Sequence, residues 1–136
     1  MTRFAIDAVT ALRLIDDDRR IEPAHTLVAP ARLRSEALST LYRRVREGAM
    51  DERDGRARLE RIAELKIRLL ADRVSRATAW RLAAGLDWDD TARAEYLAVA
   101  TLQADALVTD DPTLVDAADG VVPIADYEQI FTPARI

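Results

Sequence analysis

Three carboxylates stand where a parallel-sheet protein assembles a site: Asp7, Glu36 and Asp111. Asp7 follows the short apolar run Phe4-Ala5-Ile6, and Asp111 follows Ala106-Leu107-Val108-Thr109. If both runs are strands, their carboxyl ends carry the loops in which α/β proteins build sites, so the two side chains can meet across 104 positions of sequence. Glu36 shares a helical stripe with Leu33 and sits beside Ala37, which aims it inward. Carboxylates gathered at one mouth repel one another, and a hard cation with a preference for oxygen resolves the repulsion. Mg²⁺, or Mn²⁺, held by Asp7 and Asp111 is implied, and such a centre activates water for in-line attack on a phosphodiester. Taken singly, each acid has an ordinary use: Asp7 as a helix N-cap, Glu36 as a solvated helix charge, Asp111 as a turn residue before Pro112.

The elements that must position these acids can be read from periodicity. Phe4-Ala5-Ile6 is a first strand, and Val9, Leu12 and Ile15 at helical spacing give a helix that ends in the run Asp16-Asp17-Asp18-Arg19-Arg20. Thr26-Leu27-Val28-Ala29 before Pro30 is a second strand. A long helix over 31–47 carries the stripe Leu33, Ala37, Leu38, Leu41, Tyr42 and Val45, with Gly48 at its carboxyl end. Asp51 caps a further helix over 51–66, and Ile67-Arg68-Leu69-Leu70 is a third strand candidate. Helices follow over 74–84 and 91–103, then the strand candidate Ala106 to Thr109, a short helix through Leu114 and Val115, and the apolar run Val121-Val122-Pro123-Ile124. The alternation of strand and helix predicts one α/β sandwich domain over 1–136, built on a largely parallel central sheet.

Composition narrows the chemistry. The chain of 136 residues has no cysteine and one histidine, His25, which argues against thiolate metal sites, histidine cages and Ser/His/Asp triads. His25, in a loop, is expected at the surface. Nothing in the sequence has the length and apolarity of a membrane span or secretory leader, so a cytoplasmic protein with no membrane partner is expected. A receiver-like phosphoacceptor domain would want a lysine after the last strand, and Lys66, the only lysine, is misplaced for it.

Four segments, in order and spacing, resemble the PIN-domain ribonucleases, and among them the VapC-type toxins of bacterial toxin–antitoxin pairs. These are Phe4-Ala5-Ile6-Asp7-Ala8, Leu33-Arg34-Ser35-Glu36-Ala37-Leu38, Tyr96-Leu97-Ala98-Val99-Ala100, and Ala106-Leu107-Val108-Thr109-Asp110-Asp111. The resemblance covers nearly the whole chain. It implies a three-layer α/β/α fold with a mainly parallel sheet of about five strands, metal-dependent endonucleolytic cleavage of RNA, and inhibition by a cognate antitoxin protein. By position, Asp7, Glu36 and Asp111 take the places of the family's first, second and post-strand acids. The family's aspartate three residues before the tyrosine is replaced by Arg93, so either Asp90 or Asp89, one turn earlier, supplies that carboxylate, with Asp90 favoured, or Arg93 pairs with the remaining acids and weakens the metal. A further family acid is replaced by Thr113, for which Asp110 or Asp116 would have to compensate.

The net charge of −4 offers no broad nucleic-acid surface. Arg43, Arg44, Arg46, Arg53, Arg56, Arg58 and Arg61 are interleaved with Asp51, Glu52, Asp54, Glu60 and Glu64, which predicts i,i+4 pairing for most of them rather than phosphate contact. Aromatic residues are 5% of the chain, so RNA would be held by its backbone and not by a stacking platform. Trp80, Trp88, Tyr42 and Tyr96 are assigned to core or interface, and the apolar surface left by helices rich in Ala and Leu, with Trp80 and Trp88 near their ends, predicts a homodimer. The stripes of the second and third helices form an αα-hairpin with a groove for an amphipathic partner helix, which suits an antitoxin.

Overall fold

The computed structural model describes residues 1–133. Its centre is a parallel sheet of four strands, β1 (Arg3–Ile6), β2 (Thr26–Pro30), β3 (Arg68–Leu70) and β4 (Ala106–Val108), in the order β3-β2-β1-β4. Phe4 lies opposite Leu27 on one side and Ala106 on the other, and Val28 lies opposite Arg68. β1, β2 and β4 are buried almost throughout, which is why they read as unbroken apolar runs and not as alternating ones.

Six α-helices flank the sheet: α1 (Ala8–Asp16), α2 (Arg32–Arg46), α3 (Glu52–Glu64), α4 (Arg73–Gly85), α5 (Ala92–Gln103) and α6 (Pro112–Ala118). The chain steps outward from β1 through β2 to β3, then returns through α4 and α5 to β4 on the far side of β1. Right-handed crossovers therefore put α1 to α3 on one face and α4 and α5 on the other, the layering of an α/β/α sandwich. The winding direction reverses between β1 and β4, so their carboxyl ends flank a crevice. Aspartate sets four of the six helix starts: Asp7, Asp51, Asp72 and Asp111 accept from Thr10, Asp54, Ser75 and Thr113 backbone N–H groups.

α5 is the helix closest to the centre, with Tyr96, Leu97, Ala98, Val99 and Ala100 all buried. Ile6, Leu33, Leu97, Leu107, Leu114 and Ile130 are under 2% exposed, each contributing about 1.5–3 kcal/mol through burial. α3 approaches α2 closely at Gly55, where a Cβ would come within 2.7 Å of a Val45 methyl. Gly48, at φ +76°, turns the chain between those helices in the left-handed region glycine tolerates. Among the described residues no helix is long and apolar enough to cross a membrane.

Several expectations are corrected. The sheet has four strands, not about five: Val121-Val122-Pro123-Ile124 makes a single bridge, Ile124 to Leu107. The N–H groups of Val121 and Val122 both donate to the Ala118 carbonyl in the turn that ends α6, and Pro123 has no N–H to give. His25 is not a surface residue; it is 7% exposed and meets the Phe4 ring edge-on at 5.0 Å. Only Leu33, Ala37 and Leu41 of the α2 stripe are buried, while Leu38 and Tyr42 are exposed. Of the seven helix arginines, Arg56 alone makes an i,i+4 pair, with Glu52, whereas Arg58 and Arg61 reach across to Asp16 on α1.

Candidate functional site

The crevice between β1 and β4 brings Asp7 and Asp111 together through Thr109. Asp7 leaves β1 as the N-cap of α1, 8% exposed, and one carboxylate oxygen accepts the Thr10 N–H at 2.9 Å. The other accepts the Thr109 hydroxyl at 2.5 Å. That same hydroxyl oxygen accepts the Asp111 backbone N–H at 3.1 Å, so one threonine at the end of β4 ties the Asp7 side chain to the Asp111 main chain. Thr10 Oγ1 adds a second tie by donating to the Val108 carbonyl at 3.2 Å. Among the described residues Asp7 is thus held by neutral donors only.

Asp111 has a cation. Arg93, in the first turn of α5, donates from Nε to Asp111 Oδ2 at 2.7 Å, while Oδ1 caps α6 by accepting the Thr113 N–H at 3.0 Å. The Asp111 carboxylate holds the Arg93 guanidinium above its usual pKa, which leaves its charge permanent. The pair is open to water, with 53% of the Arg93 side chain exposed, and a pair so exposed contributes about 0–1 kcal/mol. Arg93 can therefore leave Asp111 at little cost.

Glu36 is the third acid at this end. It accepts from Arg32 Nε at 2.5 Å, one turn earlier on α2, and from the Tyr96 hydroxyl at 2.8 Å. Arg32 also pairs with Glu95. Tyr96 is 3% exposed; burial first, then the Glu36 carboxylate and the nearby Asp7 charge, raises its pKa well above the usual tyrosine range. Its hydroxyl stays protonated and acts as a fixed donor to Glu36. Glu36 and Glu95 pair with Arg32 and Asp111 with Arg93, while Asp7 meets neutral donors, so among the described residues these four carboxylates share two guanidinium groups.

Asp90 makes no hydrogen bond or ion pair within this network among the described residues, and its charge only adds to that of Asp111 in raising the Arg93 pKa. It is exposed at the start of α5, where its carboxylate accepts the Ala92 N–H at 2.9 Å. Asp89 and Asp116 are exposed, and Asp110 lies 3.9 Å from exposed Arg13. Sequence reasoning missed Arg32, Glu95 and the hydroxyl of Thr109. The Arg32-to-Glu36 spacing of four was a legible signal, since such residues are neighbours on a helix. The Glu95 link, from another helix, had none.

The donor set suits a hard cation in one way. Among the described residues no three acidic or histidine side chains are grouped to ligate one ion, so there is no closed cage. Asp7 and Asp111 supply two carboxylates, and Mg²⁺ is commonly held by one or two carboxylates with substrate phosphates and water completing the shell. The residues fit an ion completed by a phosphate-bearing substrate, in competition with Arg93.

Comparison with known proteins gives a likeness of fold. No protein-family model matches the chain, and no curated protein matches it in sequence. The crystal structure of PAE2754 from Pyrobaculum aerophilum superposes with a TM-score of 0.70 over 96% of this chain and 93% of that one, at 20% identity. The two share an architecture over nearly their whole length.

Proposed function

We propose that the chain is a PIN-like, VapC-type metal-dependent endoribonuclease whose centre is attenuated by Arg93. The observation that carries this reading is the Thr109 hydroxyl joining Asp7 to Asp111 at the switch point of the sheet. Asp7 and Asp111 would hold Mg²⁺ or Mn²⁺, which when bound supplies an activated water and neutralises charge at an RNA phosphodiester. The Thr10 N–H and Thr109 hydroxyl fix the Asp7 carboxylate in one orientation before any ligand arrives. Tyr96 and Arg32 do the same for Glu36. Arg93, already against Asp111, contributes a positive charge that competes with the cation and can transfer its fork of N–H donors to a substrate phosphate. Slow cleavage with a high metal requirement follows.

A cognate antitoxin and a homodimer remain part of the proposal. The groove between α2 and α3, lined by Leu38, Tyr42 and Leu59 and rimmed by Arg46, Glu52 and Arg56, supports an amphipathic helix as inhibitor. Trp80, 74% exposed on α4, which also exposes Val74, supports self-association.

One observation favours a second reading, a partner- or RNA-binding module that no longer cleaves: the only side chain hydrogen-bonded to the Asp111 carboxylate among the described residues is that of Arg93. Incubation of single-stranded RNA with Mn²⁺ and the wild-type chain or Asp7→Asn separates the two. Metal-dependent cleavage lost in the variant supports the nuclease, and RNA binding without cleavage in both supports the module.

A further inference from the structure

At the opposite pole, where the strands begin, the molecule has a second site of opposite charge. Arg3 starts β1, Arg68 starts β3, and with Lys66 and Arg20 they line one cleft of about 650 Å³ in which Glu22 is the only acid among the described residues. The chain as a whole carries 24 acidic residues against 20 basic ones, so four cations around one acid is a local reversal. Among the described residues none of the four forms an ion pair. Arg3 uses only its backbone N–H on an acid, that of Asp105, at 2.8 Å.

An independent observation lies in the same cleft. His25, which lines it, is 7% exposed, and its Nδ1 is a buried polar atom with no hydrogen-bond partner among the described residues. Its Nε2 lies 2.7 Å from the Thr132 carbonyl, which can only accept, so Nε2 carries the proton. In the neutral ring Nδ1 is then an unfilled acceptor, waiting for an O–H donor. Unpaired buried polar groups are rare because each one costs free energy, and an unmet partner is a common reason for one.

We propose that this cleft binds a small phosphomonoester. The phosphate would sit among Arg3, Arg20, Lys66 and Arg68, relieving their mutual repulsion, and a hydroxyl of the ligand would donate to His25 Nδ1. The volume falls within the range of about 300–1,000 Å³ usual for small-molecule sites and suits a ligand of nucleotide size. This site stands on residues other than those of the carboxylate crevice and does not depend on the nuclease reading.

Calorimetric titration of the full chain with inorganic phosphate and, separately, with adenosine 5′-monophosphate tests it. Both probes should bind saturably, and the exposed double substitution Lys66→Gln/Arg68→Gln should weaken both by about tenfold or more, with Asp7→Asn unchanged. Equal affinities would support a site that reads phosphate alone; tighter binding of the nucleotide would support one that also reads its hydroxyls. Absence of saturable binding by either probe at about 10 mM, or binding that survives the double substitution, overturns the proposal.

Discussion

Arg93 Nε lies 2.7 Å from Asp111 Oδ2, so a guanidinium occupies one of the two carboxylates at the crevice between β1 and β4. Removing that cation should unmask the pair. Arg93→Asp is expected to tighten Mn²⁺ binding by about tenfold or more, read by calorimetry, because a repelling charge becomes a further ligand. Asp90→Asn should leave Mn²⁺ affinity unchanged, since the Asp90 carboxylate is engaged with the Ala92 N–H. An unchanged affinity in Arg93→Asp, with loss in Asp90→Asn, would place the third carboxylate at Asp90 instead.

Thr109→Val removes the hydroxyl that joins Asp7 to Asp111 while keeping the side chain's shape. The Asp7 carboxylate, 8% exposed, loses one of its two donors, and a destabilisation of about 1–3 kcal/mol should appear in urea unfolding. Asp7→Asn should be close to neutral for stability, because asparagine caps a helix as well as aspartate does.

The sequence made the main elements of this site legible for a physical reason. Asp7 directly follows one buried apolar strand and Asp111 comes three residues after the end of another, and a parallel sheet puts all strand ends of one kind on one side. Alternation of apolar runs with helical stripes likewise carried the α/β class. What stayed hidden were contacts between elements distant in sequence: Arg32 reaching Glu95 on α5, and Arg93 reaching Asp111 across 18 positions. The fifth strand failed because periodicity does not report where backbone N–H groups go, and those of Val121 and Val122 close a turn. His25 was misplaced because a polar residue in a loop carries no mark of the aromatic ring that covers it.

Leu107, fully buried in β4 beneath the crevice, fixes the strand that presents Thr109 and Asp111. Leu107→Ala should cost about 2–5 kcal/mol. Gly55→Ala should cost about 1–3 kcal/mol by driving α3 away from Val45, without altering metal affinity at the distant crevice. Thermal melts and Mn²⁺ titration of the two variants check both statements.

Tyr127 tethers the last described turn to the end of α1 by donating to Asp17 at 3.1 Å. Burial, then the hydrogen bond and charge of Asp17, pushes its pKa from the ordinary 10.0 up to about 12. The folded state holds this proton more tightly than the unfolded chain, so the contribution is complete below pH 10 and is lost as pH rises from 10 to 12. Tm should fall over that window, and less steeply in Tyr127→Phe, which cannot ionise. Equal slopes would show that Tyr127 does not set the alkaline limit.

The attenuated centre is tested most directly by the rate of single-stranded RNA cleavage as a function of Mn²⁺ concentration, for wild type, Asp7→Asn and Arg93→Asp side by side. The account predicts slow, Mn²⁺-dependent cleavage by wild type, none by Asp7→Asn, and a faster rate at lower Mn²⁺ for Arg93→Asp. Absence of Mn²⁺-dependent cleavage from wild type and Arg93→Asp alike would contradict it.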